Sequence, residues 1–124
     1  MLGSLLLITG LAATNDASLS VAPRCGSPPP NWVAAASPLA RTQRVKNTIR
    51  LQDGRLSWNG DPLTETLARQ FLELVNHLPN PQPLTVLNYS AQTPCEDVQR
   101  TRSLIQSVIQ CGPGECLEMV FSRR

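Results

Sequence analysis

The run T-I-R-L-Q-D-G-R-L-S-W-N-G-D-P-L-T-E-T-L-A-R-Q-F-L-E-L-V-N-H-L, Thr48 to Leu78, reads as a β-hairpin followed by an amphipathic helix. Ile49 and Leu51 alternate with polar neighbours, and so do Leu56 and Trp58. Asp53-Gly54 between them supplies the positive φ that a tight two-residue turn requires. Asn59-Gly60 breaks the second strand. Asp61-Pro62 then offers a helix cap and a first-turn proline, with Thr64 as an alternative cap. Leu63, Leu67, Phe71, Leu74, Val75 and Leu78 recur at helical spacing, opposite Glu65, Thr66, Arg69, Gln70, Glu73 and Asn76. That spacing predicts one apolar stripe laid on one apolar sheet face.

Downstream, L-P-N-P-Q-P ends the helix, because Pro79 cannot continue it and Pro81 and Pro83 keep the chain extended. Leu84 to Asn88 is a short, mostly apolar run suited to a central strand. Thr93-Pro94-Cys95-Glu96 reads as a capping box opening a second helix over Glu96 to Gln110. Its buried face is Val98, Thr101, Leu104, Ile105, Val108 and Ile109. Its wet face is Arg100, Arg102, Ser103, Gln106 and Gln110. Gly112 suits a left-handed cap, and Pro113 with Gly114 prevents continuation. In a last strand, Cys116 to Phe121, Leu117, Met119 and Phe121 alternate with Glu118 and Val120. Strand, helix, strand makes a right-handed crossover and sets the last two strands parallel. The predicted fold class is therefore α+β, a two-layer ββαβαβ arrangement over residues 45–122, with two helices on one face of a four-stranded mixed sheet. Arg50, Arg55, Ser57 and Thr85 are expected on its open face.

At 124 residues and 41% hydrophobic content, the chain has room for one domain with a modest core. Eleven basic and nine acidic residues are scattered, giving +2 with no dense Lys/Arg block, so nucleic-acid binding lacks its usual basic footprint. Arg41, Arg44 and Lys46 read as a solvated cluster. Leu2 to Ala13 is an apolar run of the length found in export signals and too short to cross a bilayer. Residues 1–17 are accordingly expected to be a secretion signal. The alternatives are a truncated anchor, which would give the chain a membrane contact, and an ordinary buried N-terminus. Residues 18–44, rich in Ser, Ala and Pro and containing G-S-P-P-P-N-W, read as an extended linker or arm. Trp32 is expected to fold back on the domain, tethered by Cys25.

Four cysteines in so short a chain point to an oxidising compartment. A helix between them holds Cys95 and Cys111 about 24 Å apart at 1.5 Å per residue, well beyond the roughly 7 Å that a disulfide allows between Cα atoms. G-P-G-E is short enough to bring Cys111 and Cys116 together, which leaves Cys25 for Cys95. Of the three connectivities, Cys25–Cys95 with Cys111–Cys116 is favoured. There is no C-x-x-C, and the single histidine, His77, sits at the end of the first helix, where it caps carbonyls. Ser57, Ser90 and Ser103 lie outside any G-x-S-x-G context. No catalytic constellation, cofactor or metal is implied, and the chain is read as no enzyme.

The succession of a D-G-R turn, a strand ending in N-G, then P-L-T and a helix, continuing through strand, helix and strand to about Phe121, resembles the periplasmic domain of the ExbD/TolR family of biopolymer-transport proteins. The resemblance implies a bacterial envelope setting and a soluble domain that dimerises and contacts partner proteins or cell wall. The family's membrane helix carries an essential Asp. Here Asp16 follows the apolar run in polar surroundings and does not match that position, so proton coupling is not carried over. The expectation is a non-catalytic, exported (periplasmic or secreted) interaction domain, possible accessory to energy-coupled envelope transport. It would bind protein partners of the envelope by self-dimerisation or by pairing at an edge formed by the first strand, through Val45, Lys46, Ile49 and Arg50. The alternatives are a small secreted disulfide-stabilised protein of unrelated function, or a thiol redox protein.

Overall fold

In the computed structural model, which describes residues 25–34, 44–112 and 114–121, a two-residue strand β1 (Val33–Ala34) precedes three strands joined by tight turns. These are β2 (Lys46–Gln52), β3 (Arg55–Trp58) and β4 (Asp61–Leu63). The first turn is the predicted one: Asp53 (φ 53°) and Gly54 (φ 75°) both take positive φ and join the facing pair Gln52 and Arg55. Asn59 (φ 50°) and Gly60 (φ 96°) repeat that chemistry, so the second Asn/Asp-Gly pair makes a second hairpin. Asp61-Pro62 consequently lies in β4, antiparallel to β3, and does not cap the helix. The capping residue is Thr64, whose Oγ1 accepts from the Leu67 amide at 3.1 Å.

Helix α1 (Glu65–Asn76), strand β5 (Leu84–Ser90), helix α2 (Cys95–Val108) and strand β6 (Cys116–Phe121) complete the α+β fold. The sheet has six strands in the order β1-β6-β5-β2-β3-β4. The expected count of four missed the two short outer strands. Strand β5 lies between β2 and β6 and runs parallel to both. Strand β2 is held by β3 on one side and β5 on the other, so the reading of β2 as an edge is corrected. The described edges are β1 and β4.

Alternation sorts the side chains into two clusters. Ile49 and Leu51 of β2, Leu87 and Tyr89 of β5, and Cys116 of β6 share one cluster with Ala68, Leu72 and Val75 of α1 and Val98, Leu104 and Ile105 of α2. Both helices thus cover one sheet face. On the other face Leu84, Val86 and Leu117 are buried with Val33 packed against them. Thr85 is 1% exposed and falls in register with Asn47, on the helix side of the sheet, not on the opposite face with Arg50. The segment expected to be a linker contributes to the core where it is described: Trp32 and Cys25 are buried, and Val33 and Ala34 pair with Leu117 and Glu118. The expected secretion signal, residues 1–17, lies outside the described residues.

Both helices differ from their sequence reading. On α1 the buried residues are Ala68, Leu72 and Val75, whereas Leu67 and Leu74, and Leu78 just past the His77 cap, are 41%, 67% and 45% exposed. The helix is apolar over an arc wide enough for two faces, and the sheet takes the face that includes Ala68, where a small side chain permits close approach. Phe71 lies at the boundary, edge-on to Trp58 with ring centroids 5.4 Å apart. The capping box of α2 does not form. Pro94 occupies the cap position without a side-chain bond, and the Thr93 hydroxyl pairs with that of Ser90 at 3.2 Å. Ile109, in extended conformation, ends α2, and the left-handed glycine of the following loop is Gly114 (φ 81°). Leu72→Ala is expected to cost about 2–5 kcal/mol in urea unfolding, and Leu74→Ala less than about 0.5 kcal/mol in protein dilute enough to be monomeric. The reverse order would mean that α1 is turned the other way.

Candidate binding surfaces

A strongly connected buried polar group among the described residues is one the sequence reading assigned to solvent. Arg102 and Glu118 have side chains 4% and 2% exposed. The guanidinium meets the carboxylate in a fork, Nε to Oε1 at 2.8 Å and Nη2 to Oε2 at 2.6 Å. Tyr89 donates its hydroxyl to the same carboxylate. The remaining guanidinium donors reach back to the N-terminal segment: Nη1 donates to the Cys25 carbonyl at 3.1 Å and Nη2 to the Gly26 carbonyl at 3.0 Å. Gln99 Nε2 donates to the Cys25 carbonyl as well, at 2.7 Å. Burial, followed by the Glu118 hydrogen bond, pushes the Tyr89 phenol well above its ordinary value. The Glu118 hydrogen bond raises Arg102, against the opposing effect of burial. Each nitrogen of the guanidinium has a protein acceptor, and the cluster clasps the arm to α2 and β6.

The two disulfides complete that clasp. Cys25 bonds Cys95 with Cα atoms 5.0 Å apart, and Cys111 bonds Cys116 with Cα atoms 5.2 Å apart, the pairing favoured from the sequence. No cysteine is free. Cys25–Cys95 ties the arm to the first residue of α2, and Arg102 holds it two turns further on. Two disulfides in so small a chain indicate an oxidising, extracytoplasmic location. Among the described residues no helix is long and apolar enough to cross a membrane, and no group of three His, Cys, Asp or Glu is placed to hold a metal. His77 closes α1, its Nδ1–H donating to the Glu73 carbonyl at 2.7 Å.

The residues expected to dock a partner are separated by this fold. Ile49 is fully buried under the helices. Val45 is 69% exposed, but its carbonyl is taken by the Leu84 amide at 2.8 Å. Lys46 is partly buried and pairs with Leu84 across the sheet. Arg50 points to the opposite face, its guanidinium carbon 4.3 Å from the centre of the Phe121 ring. Of the described edges, β1 has two residues, and β4 has Pro62 at its centre. Proline has no N–H to donate, a feature that blunts edges against strand addition.

The exposed surface with a regular apolar pattern is the outer side of α1. Leu67, Phe71 and Leu74 follow one another on α1 at intervals of four and three, and Leu78, just past the His77 cap, is four further on, the spacing of a heptad seam. Leu67, Leu74 and Leu78 are open to solvent, and Phe71 is half-buried against Trp58. The flanking g positions are Gln70 and His77, both exposed. Sequence periodicity found this stripe and assigned it to the wrong surface. Comparison of the chain with family models, with curated proteins and with solved structures returns no match.

Arg102→Met leaves the Glu118 carboxylate buried without its cation and is expected to cost about 3–5 kcal/mol in urea unfolding with the disulfides intact. The double variant Arg102→Met, Glu118→Leu should regain most of that loss. A single substitution costing under about 1 kcal/mol would contradict a buried pair.

Proposed function

We propose that this chain is an exported, non-catalytic interaction domain of the ExbD/TolR type, working in the bacterial envelope and self-associating through the outer face of α1. The observation that carries the reading is the exposed Leu67, Leu74 and Leu78 seam. A two-fold interface needs a surface complementary to itself, and a seam spaced four, three, four reads the same in both directions. Antiparallel pairing of two copies sets Leu67 against Leu78 of the second copy and Phe71 against its Leu74. The polar flanks then bring Gln70 beside His77, with no like charges opposed. Strand addition is the less supported mode, given a two-residue strand at one edge and Pro62 at the other. The absence of catalysis is part of the proposal. It is supported by the closure of all four cysteines in disulfides and by an Arg102, Glu118 and Tyr89 group whose bonds are satisfied within the protein.

Sedimentation equilibrium tests the proposal. The wild-type domain is expected to dimerise reversibly, and Leu74→Gln to weaken the dimer by about 100-fold, since each dimer buries two copies of a leucine worth about 1.5 kcal/mol or more. A wild-type protein that stays monomeric at about 1 mM, where the association energy would be below roughly 4 kcal/mol, would reject this mode of action.

A further inference from the structure

The face of the sheet turned away from the helices carries two cations beside the Asp53-Gly54 turn. Arg50 registers with Ser57 and Gln52 with Arg55, so Arg50 and Arg55 stand on one face as diagonal neighbours, about 7–8 Å apart. Alternation sets that face opposite Ile49 and Leu51, which lie under the helices. Both arginines are exposed. Neither makes a hydrogen bond or ion pair with another described residue.

Arg50 is nevertheless held in place, by its contact with the Phe121 ring, 4.3 Å from guanidinium carbon to ring centre. Its partner across the parallel ladder is Asn88, whose Oδ1 is buried without a hydrogen bond. Arg50 therefore spends no N–H on that neighbour. Stacking occupies the flat side of the guanidinium and leaves its N–H fork, the part that matches a carboxylate, unspent. The acidic residues of the described strands and helices lie on the other side. Asp61 and Glu118 register with Trp58 and Leu87 on the helix side of the sheet, and Glu65, Glu73, Glu96 and Asp97 belong to the helices. Asp53 stands at the margin, in the turn.

We propose that this face docks an extended acidic segment of a partner polypeptide, with carboxylates from two alternate residues on Arg50 and Arg55. Alternate side chains of an extended chain project to one side and lie about 6.8 Å apart at 3.4 Å per residue, close to the separation of the two arginines. An anionic bilayer is the poorer occupant, because such surfaces are held by clusters of about four to eight cations. The α1 seam lies in the helix layer on the other side of the sheet, so failure of this proposal would leave self-association standing, and the reverse.

The experiment follows the arginine Nε–Hε signals of the full chain in two-dimensional NMR spectra at about pH 6, where peptide carboxylates stay ionised. The probes are three blocked peptides: G-S-E-T-E-S-G, its uncharged counterpart G-S-Q-T-Q-S-G, and G-E-S-T-S-E-G, which has the first peptide's composition with the carboxylates twice as far apart. Saturable shifts of the Arg50 and Arg55 signals are expected with the first. The glutamine peptide should bind at least about tenfold more weakly, and the wide-spaced peptide at least about threefold. Arg50→Gln combined with Arg55→Gln, both at exposed positions, should weaken binding of the first peptide at least about tenfold while the rest of the spectrum stays in place. Arg100→Gln, on α2, should leave binding unchanged. No saturable shift, equal binding of either control peptide, or undiminished binding by the double variant overturns the proposal. Phosphatidylglycerol vesicles that shift both arginine signals where the first peptide does not would assign the face to a lipid surface and overturn it as well.

Discussion

Strand β5 is buried along both faces, with Leu87 and Tyr89 under the helices and Leu84 and Val86 on the opposite side. Its parallel pairing with β2 and β6 demands connections that cross from one end of the sheet to the other, and these are α1 and α2. Both helices then compete for the same face, which is only a few strands wide. Helix α2 contributes Val98, Leu104 and Ile105 to it, and α1 contributes Ala68, Leu72 and Val75. The apolar arc of α1 is wider than the space left for it. At 100° per residue the seam of Leu67, Phe71, Leu74 and Leu78 is centred about 100° from the buried set. One surface is satisfied inside the domain and the other faces out.

The N-terminal segment is fixed by a different device. Cys25 is covalently tied to Cys95, and its carbonyl receives bonds from Gln99 and Arg102. The cation that makes those bonds is held by Glu118, itself held by Tyr89. One buried ion pair therefore links the arm, α2, β5 and β6. Burying two charges is costly unless they are well hydrogen-bonded, and here each nitrogen of the guanidinium finds an acceptor in the protein. The clasp stabilises the end of the domain near the start of α2 and leaves the outer side of α1 untouched.

Local chemistry was legible in the sequence where a few adjacent residues decide it. Asp53-Gly54 specified its turn, the limits of Cys116 to Phe121 were read correctly, and distance along a helix was enough to favour the cysteine pairing. Asn59-Gly60 carried the same turn signal as Asp53-Gly54 and was underread as a strand break, which cost the fold its β4 strand. What the sequence did not disclose depends on partners distant along the chain. Arg102 and Glu118 are sixteen residues apart, and alternation alone sends both toward water; only the packing of α2 across β6 shows that each neutralises the other. The face of α1 was misassigned because periodicity measures how apolar a stripe is, not which of two stripes meets the sheet. Ala68, absent from the stripe that periodicity picks out, lies on the buried face, where its small side chain lets the helix approach the sheet.

The central claim is that the seam of α1 is a contact between copies of this chain. An isotope-filtered NOE experiment on a mixture of labelled and unlabelled protein tests this most directly. The account predicts intermolecular contacts from the Leu74 methyls to the Phe71 ring and from Leu67 to Leu78. Intermolecular contacts confined to other residues, or none at a concentration where the protein is not monomeric, would contradict it.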